Sequence, residues 1–127
     1  MKRKKILNRA DVSRLVHTFY AKVRADEDIG PFFNESISDW PAHLERLTDF
    51  WETNLFFVQK YKGKPMLKHQ AVNRRFDAKI SSYHFGIWLN LWFNTIDTLF
   101  EGEKAERAKD RARKMGTHLI LGMALKK

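Results

Sequence analysis

The chain contains no cysteine. Disulfides are excluded, as are cysteine-ligated zinc, iron–sulfur and haem sites. A reducing cytoplasm fits this composition and is the expected location. Proline and glycine are scarce, three and six in 127 residues. No linker, low-complexity segment or internal repeat interrupts the chain. The longest apolar runs, such as "LILGMAL", fall far short of the roughly 20 residues a membrane span needs. The opening "MKRKKILNRADVSRL" is basic but has no apolar segment behind it, so no secretory signal is read there. Strand-like alternation is missing. So are a His-Glu-x-x-His pair, a G-x-S-x-G elbow and a glycine-rich phosphate loop. Hydrolase and nucleotide-binding readings therefore have no residues to stand on.

What is present is aromatic and basic. Ten Phe and four Trp bring the aromatic share to 13%, with 43% hydrophobic residues overall. Either the core is built from rings, or rings line something flat and apolar. The formal net charge of +9 admits nucleic acid, an anionic membrane surface or simple solubility. The basic residues are scattered except for Lys2, Arg3, Lys4 and Lys5. That cluster reads as a frayed, solvated end. The chain is long enough for one domain with one sizeable core. The expected organisation is a single domain over residues 1–127, with residues 1–7 as a basic, flexible terminus.

Helical periodicity dominates. Val12, Leu15, Val16, Phe19, Tyr20 and Val23 follow steps of three and four within residues 11–26, and Asn8 is placed to cap them. Gly30-Pro31 breaks this pattern. A second helix is expected over residues 39–59, capped by Ser38 or Asp39, with Pro41 tolerated in its first turn. "YKGKP" ends it, and "MLKHQAV" is a short helical piece. A third long pattern runs over residues 77–100 through Ile80, Tyr83, Ile87, Trp88, Leu91, Trp92, Thr95, Ile96 and Leu99. A fourth starts near Glu103, where Ala105, Ala108 and Ala112 suit a narrow seam. The fold class is all-α.

Two of the five histidines stand out. In "WPAHLERLTDFW", His43 shares a helical stripe with Leu47 and Phe50, where a titratable ring needs a reason. His69 ends "YKGKPMLKH" on a short turn behind Met66 and Leu67. Each alone reads as an ordinary core or rim histidine. Together, from a long helix and a short one beyond a loop, they could flank a flat apolar slot such as a haem requires. Tyr20 and Trp88 are the available O–H and N–H donors. His17, His84 and His118 carry no assigned chemistry.

The sequence resembles the truncated haemoglobins, most nearly their third group. "FYAKVRADEDIGPFF" (19–33) is similar to that family's second-helix motif and the turn after it. "WPAHL" (40–44) with "FW" (50–51) is similar to its distal helix. "YKGKPMLKH" (61–69) is similar to the segment that delivers the proximal histidine, and "HFGIWLNLWF" (84–93) to the next long helix. The resemblance implies a two-over-two helical sandwich around haem b. It implies His69 as iron ligand, Tyr20 and Trp88 as distal donors and His43 as a distal gate. Phe33, Leu47, Phe50, Phe76, Phe85 and Leu89 would line the haem. After His69 the chain reads "QAVNRRF", more polar than the family pattern, and Arg75, with Lys68 beside His69, is a candidate partner for the propionates.

The function this implies is reversible binding of O2, CO and NO. Two donors at the ligand suit peroxide activation, nitric oxide dioxygenation or sensing better than bulk oxygen transport. Turnover would require an electron-donating reductase, which a basic surface could steer into place. A monomer or weak dimer is expected. The rival reading is a basic helical nucleic-acid-binding module without cofactor. It is disfavoured because the basic residues do not crowd one helix face.

Overall fold

The computed structural model describes residues 3–58 and 81–125, with side chains through residue 116. Five helices are present among them: α1 (Arg9–Ala25), α2 (Gly30–Ser36), α3 (Trp40–Phe56), α4 (Ser82–Leu99) and α5 (Glu103–Leu125). The short piece expected at "MLKHQAV" lies outside the described residues. None of the helices is long and apolar enough to cross a membrane, among the residues described.

Three of the helices, α1, α3 and α4, start at a residue whose side chain serves their first amides. The Asn8 side chain accepts from the Asp11 amide at 3.0 Å, and Asp39 accepts from that of Ala42 at 3.1 Å. Such caps are worth about 0.5–2 kcal/mol each. In α4 the cap is Ser81, whose own N–H donates to Nδ1 of His84 at 3.0 Å. His84 thus has a structural task, in the role a Glu or Gln plays in a capping box.

The chain breaks before Gly30-Pro31 as expected, α1 ending at Ala25 with Asp26 as its C-cap, but the pair itself opens another helix. Asp26 builds the corner by accepting from the amides of Asp28 (2.8 Å) and Ile29 (3.1 Å). Pro31 then occupies the first turn of α2, where its missing N–H costs nothing. Glycine is required at position 30 because a Cβ would lie 2.7 Å from the Arg24 carbonyl oxygen. That close approach sets Phe33 against α1.

The helices form two stacked pairs. α1 packs on α3, α4 packs on α5, and the pairs meet where α1 crosses α4 and α3 meets α5. The buried row of α1 is Val12, Leu15, Val16, Phe19, Tyr20 and Val23, with Asp11. On α5, Ala105, Ala108 and Ala112 are buried. Their small side chains let Trp92 approach closely enough to donate its indole N–H to the Ala108 carbonyl at 3.1 Å. Buried Thr48 and Thr95 satisfy their hydroxyls on the carbonyls of Leu44 and Leu91.

The expected solvated terminus is not what residues 4–7 form. Lys4 pairs in parallel with Phe100, its amide donating to the Leu99 carbonyl at 3.3 Å and its carbonyl accepting from Glu101 at 2.9 Å. Ile6 is buried. The Lys4 ammonium reaches both oxygens of Asp11, at 2.8 and 3.0 Å, and the Leu7 amide donates to the same carboxylate at 2.8 Å. A buried carboxylate organises this strap, which composition alone could not reveal.

Burial by itself would raise the Asp11 pKa. The Lys4 ammonium and the amides of Leu7 and Asn8 outweigh it and hold the carboxyl below its usual range. A depressed folded pKa gives stability that is complete above the unfolded value of about 3.9 and lost as pH falls through the folded value. Asp11→Asn should therefore be less stable than the parent at neutral pH and lose less on acidification. Urea midpoints measured from neutral to acid pH check this, and parallel acid limbs would refute it.

Candidate functional site

On α3 the most buried row is Trp40, Thr48, Trp51 and Leu55, with Leu44 half-buried between them. His43, Leu47 and Phe50 lie beside that row, displaced by about a quarter turn at 3.6 residues per turn. All three are half-buried. The histidine stripe is thus a flank of the core rather than its centre. The opposite flank carries Glu45, Asp49 and Glu52. All three carboxylates converge on Arg9 of α1, which holds Asp49 at 2.7 Å and Glu52 at 2.8 Å. This clamp fixes how α3 rotates against α1, and hence which way the histidine flank faces.

Tyr20 is almost wholly buried, 2% exposed, on the α1 side of that flank. Around its ring stand Phe33 of α2 at 6.2 Å, Trp40 at 6.0 Å and His43 at 6.1 Å between centroids. The His43 ring is edge-on both to Tyr20 and, at 5.6 Å, to Trp40. Beside it on α1, Phe19, edge-on to Tyr20 at 4.7 Å, meets Trp88 edge-on at 5.3 Å and Trp92 at 4.8 Å.

Trp88 of α4 is buried, and its indole nitrogen has no hydrogen-bond partner among the described residues. It lies near enough to the Tyr20 hydroxyl to affect its ionisation. Burial pushes the phenol well above its ordinary range, with Trp88 pulling weakly the other way. Tyr20 therefore stays protonated at any physiological pH. An O–H and an N–H, both in a water-poor setting, thus stand side by side with an imidazole at the edge.

The structure therefore brings together Tyr20, Phe33, His43 and Trp88 from four different helices. Leu47 and Phe50 continue the His43 flank along α3. Phe85 is buried one turn before Trp88. Leu89 is half-buried on α4 beside Gly116 of α5, where a Cβ would meet it at 3.5 Å. His69, Arg75 and Phe76 lie outside the described residues, as does Lys68. Trp40 and Phe19 are neighbours of the cluster that sequence reasoning did not single out. The only cue was their place next to Tyr20 and His43 in the quoted motifs. Tyr83, read from the sequence as part of the apolar row, instead faces solvent and donates to Asp28 at 2.9 Å.

Among the described residues no three His, Asp or Glu side chains are grouped to hold a bare metal ion. What the cluster offers is two donors, a titratable ring and apolar walls.

No sequence-family model matches the chain. A group 3 truncated haemoglobin of Campylobacter jejuni is 28% identical over 116 residues, which is 88% of this chain and 87% of that protein. The crystal structure of a group III truncated haemoglobin from Campylobacter jejuni superposes with a TM-score of 0.83 at 28% identity, covering 96% of this chain and 95% of that one. The likeness in structure shows that the chain has the all-α, two-over-two truncated-globin fold, and in sequence it is similar to the third group of truncated haemoglobins.

Proposed function

We propose that the chain holds haem b and binds diatomic ligands reversibly, in redox chemistry or sensing rather than bulk oxygen carriage. One observation carries this reading: the buried Trp88 indole N–H makes no hydrogen bond of normal geometry and has only the Tyr20 hydroxyl near it. A buried donor left unpaired costs on the order of 1–3 kcal/mol. Such a donor, set against a second donor and apolar walls, fits a site whose acceptor is a ligand. The half-buried flank of Leu47 and Phe50, with Phe33 across from it, suits a flat apolar macrocycle.

In this reading His69 would hold the iron, and Phe76, Phe85 and Leu89 would complete the lining. Arg75 pairs with a propionate. Haem, when bound, supplies an iron that takes O2, CO or NO. The chain does the rest. Tyr20, which burial keeps protonated, donates to the ligand. Trp88 donates from the opposite helix pair. His43, at the half-exposed edge, controls access. The Arg9 clamp on α3 keeps that edge in register.

The first test is spectroscopic. Reconstituted protein should show a Soret band that shifts with carbon monoxide, and His69→Ala should lose or alter it. A colourless protein after haem is supplied would sink the reading.

The donors make a second test. A hydrogen bond to a charged acceptor is worth about 1.5–3 kcal/mol, and about 1.4 kcal/mol is tenfold in affinity. Tyr20→Phe should therefore release O2 about tenfold faster or more, by the same arithmetic. An unchanged rate in stopped-flow displacement would remove Tyr20 from the role.

Turnover at such a site needs electrons from outside. The net charge of +9 suits docking of an acidic reductase through electrostatic steering. Reduction by such a donor should slow as salt rises, and a salt-independent rate would count against it.

A further inference from the structure

We propose that Trp88, Trp92 and Trp51 form an electron relay. When a hydroperoxide is reduced at the site, the relay delivers one electron and leaves a tryptophan radical cation on the Trp92–Trp51 pair. This rests on the haem reading above. The ring planes of Trp88 and Trp92 lie 10° from parallel with centroids 6.2 Å apart, and those of Trp92 and Trp51 28° from parallel at 4.6 Å. Phe19 stands edge-on against Trp88 and Trp92 and fixes their orientation. The three indoles are 5%, 0% and 2% exposed. Their π faces are in succession, so an electron crosses the core in short steps.

The resting place of the positive charge follows from the polar contacts. The Trp92 N–H donates to the Ala108 carbonyl at 3.1 Å, which sets the negative end of a peptide dipole against that ring. Trp51, stacked on it, shares the charge. Trp88 has no such carbonyl, its N–H lying toward the Tyr20 hydroxyl. Charge therefore runs from Trp88 inward to the pair. A carbonyl is too weak a base to take the indole proton, so the product keeps it and remains a cation.

Tyrosines are the rival donors, but a phenol gives up its proton with its electron. Tyr20 is ringed by Phe33, Trp40 and His43, and its hydroxyl faces the Trp88 N–H, a donor that cannot take its proton. Tyr83 has a ready acceptor in Asp28, but its ring neighbour is His84 at 5.5 Å and not an indole.

In the reaction the O–O bond of the hydroperoxide breaks. It takes two electrons and two solvent protons to give an alcohol and water. Bound haem would supply one of the two electrons, and the Trp92–Trp51 pair supplies the other. An external reductant later returns both, one to each.

The test uses ferric, haem-loaded protein mixed with hydrogen peroxide and freeze-quenched for electron paramagnetic resonance. Samples carry ring-deuterated tryptophan or ring-deuterated tyrosine, and the Soret band is recorded on each. The expected result is an organic radical whose hyperfine lines narrow with labelled tryptophan alone, and which is lost in Trp92→Phe. Narrowing with labelled tyrosine would overturn the relay. So would an intact Soret band with no organic radical, or a tryptophan signal that survives in folded Trp92→Phe. The labelled parent protein decides the chemistry even where the variant does not fold. A missing Soret band overturns the haem reading and the relay with it, and is told apart by the absorption spectrum alone.

Discussion

The stacking of Trp51 on Trp92 is the contact on which the two helix pairs depend. The backbones of α3 and α4 do not adjoin. Their indoles span the gap at 4.6 Å between centroids. Phe19 enters from α1 against Trp92, and the Ala108 carbonyl of α5 accepts the Trp92 N–H. One side chain, Trp92, therefore touches or bonds to elements on every side of the core. Aromatic pairs of this kind add about 0.5–1.5 kcal/mol each beyond the area they bury. Their larger effect is geometric. Rigid rings fix the separation of the helices, and the alanines of α5 are small because the rings are large.

The site inherits its geometry from that core. Phe19 and Tyr20 are consecutive on α1 and so point about 100° apart. Once Phe19 is locked between Trp88 and Trp92, the Tyr20 phenol must face Phe33, Trp40 and His43. The same holds on α4, where Trp88 precedes Trp92 by one turn. The two donors are thus placed by packing, not by hydrogen bonds to their surroundings. This leaves both polar atoms at the margin of a dry region, where an interaction with a charged acceptor is strong. His43, a quarter turn from the buried row of α3, has room that Tyr20 and Trp88 lack.

How far the sequence could go depends on what each element uses to fix itself. α1 was fully legible, because caps and buried periodicity act locally and both lie within its own residues. The start of α3 was equally plain at Asp39 and Pro41. Its rotation was not, because two stripes of similar hydrophobicity run side by side, and Arg9, forty residues away, selects between them by gathering three carboxylates. α2 was missed since Gly30-Pro31 signals a helix end and a helix start with the same letters. The Lys4 strap depends on Asp11 being buried by distant residues. His84, to which the sequence assigned no chemistry, serves in the cap of α4. For the site, His43, Tyr20 and Trp88 could be named from stripe position and donor chemistry, whereas Phe33 came only with the family resemblance. Their spacing in the chain says nothing about convergence from four helices. His69 rests on its pairing with His43 and on the resemblance, Arg75 on guanidinium chemistry where the chain departs from the family pattern, and Phe76 on the resemblance alone; all three lie outside the described residues.

The charge pattern separates two kinds of partner. Many cations are held in contacts within the fold. Arg9 is taken by α3, Lys109 by Asp97 and Glu106, Lys114 by Asp110, and Lys4 by Asp11. A nucleic acid needs a row of cations on one face, each able to meet a phosphate. Those four are already engaged by carboxylates, so the raw count of basic residues overstates what a phosphate backbone could use. Pairing does not change the net charge, however, and the long-range field depends on the net charge. An excess of nine positive charges on a chain of this size still draws an acidic protein toward it. The same composition therefore disfavours a groove-binding role while favouring diffusional capture of an acidic protein, the kind of partner the proposed redox role would need.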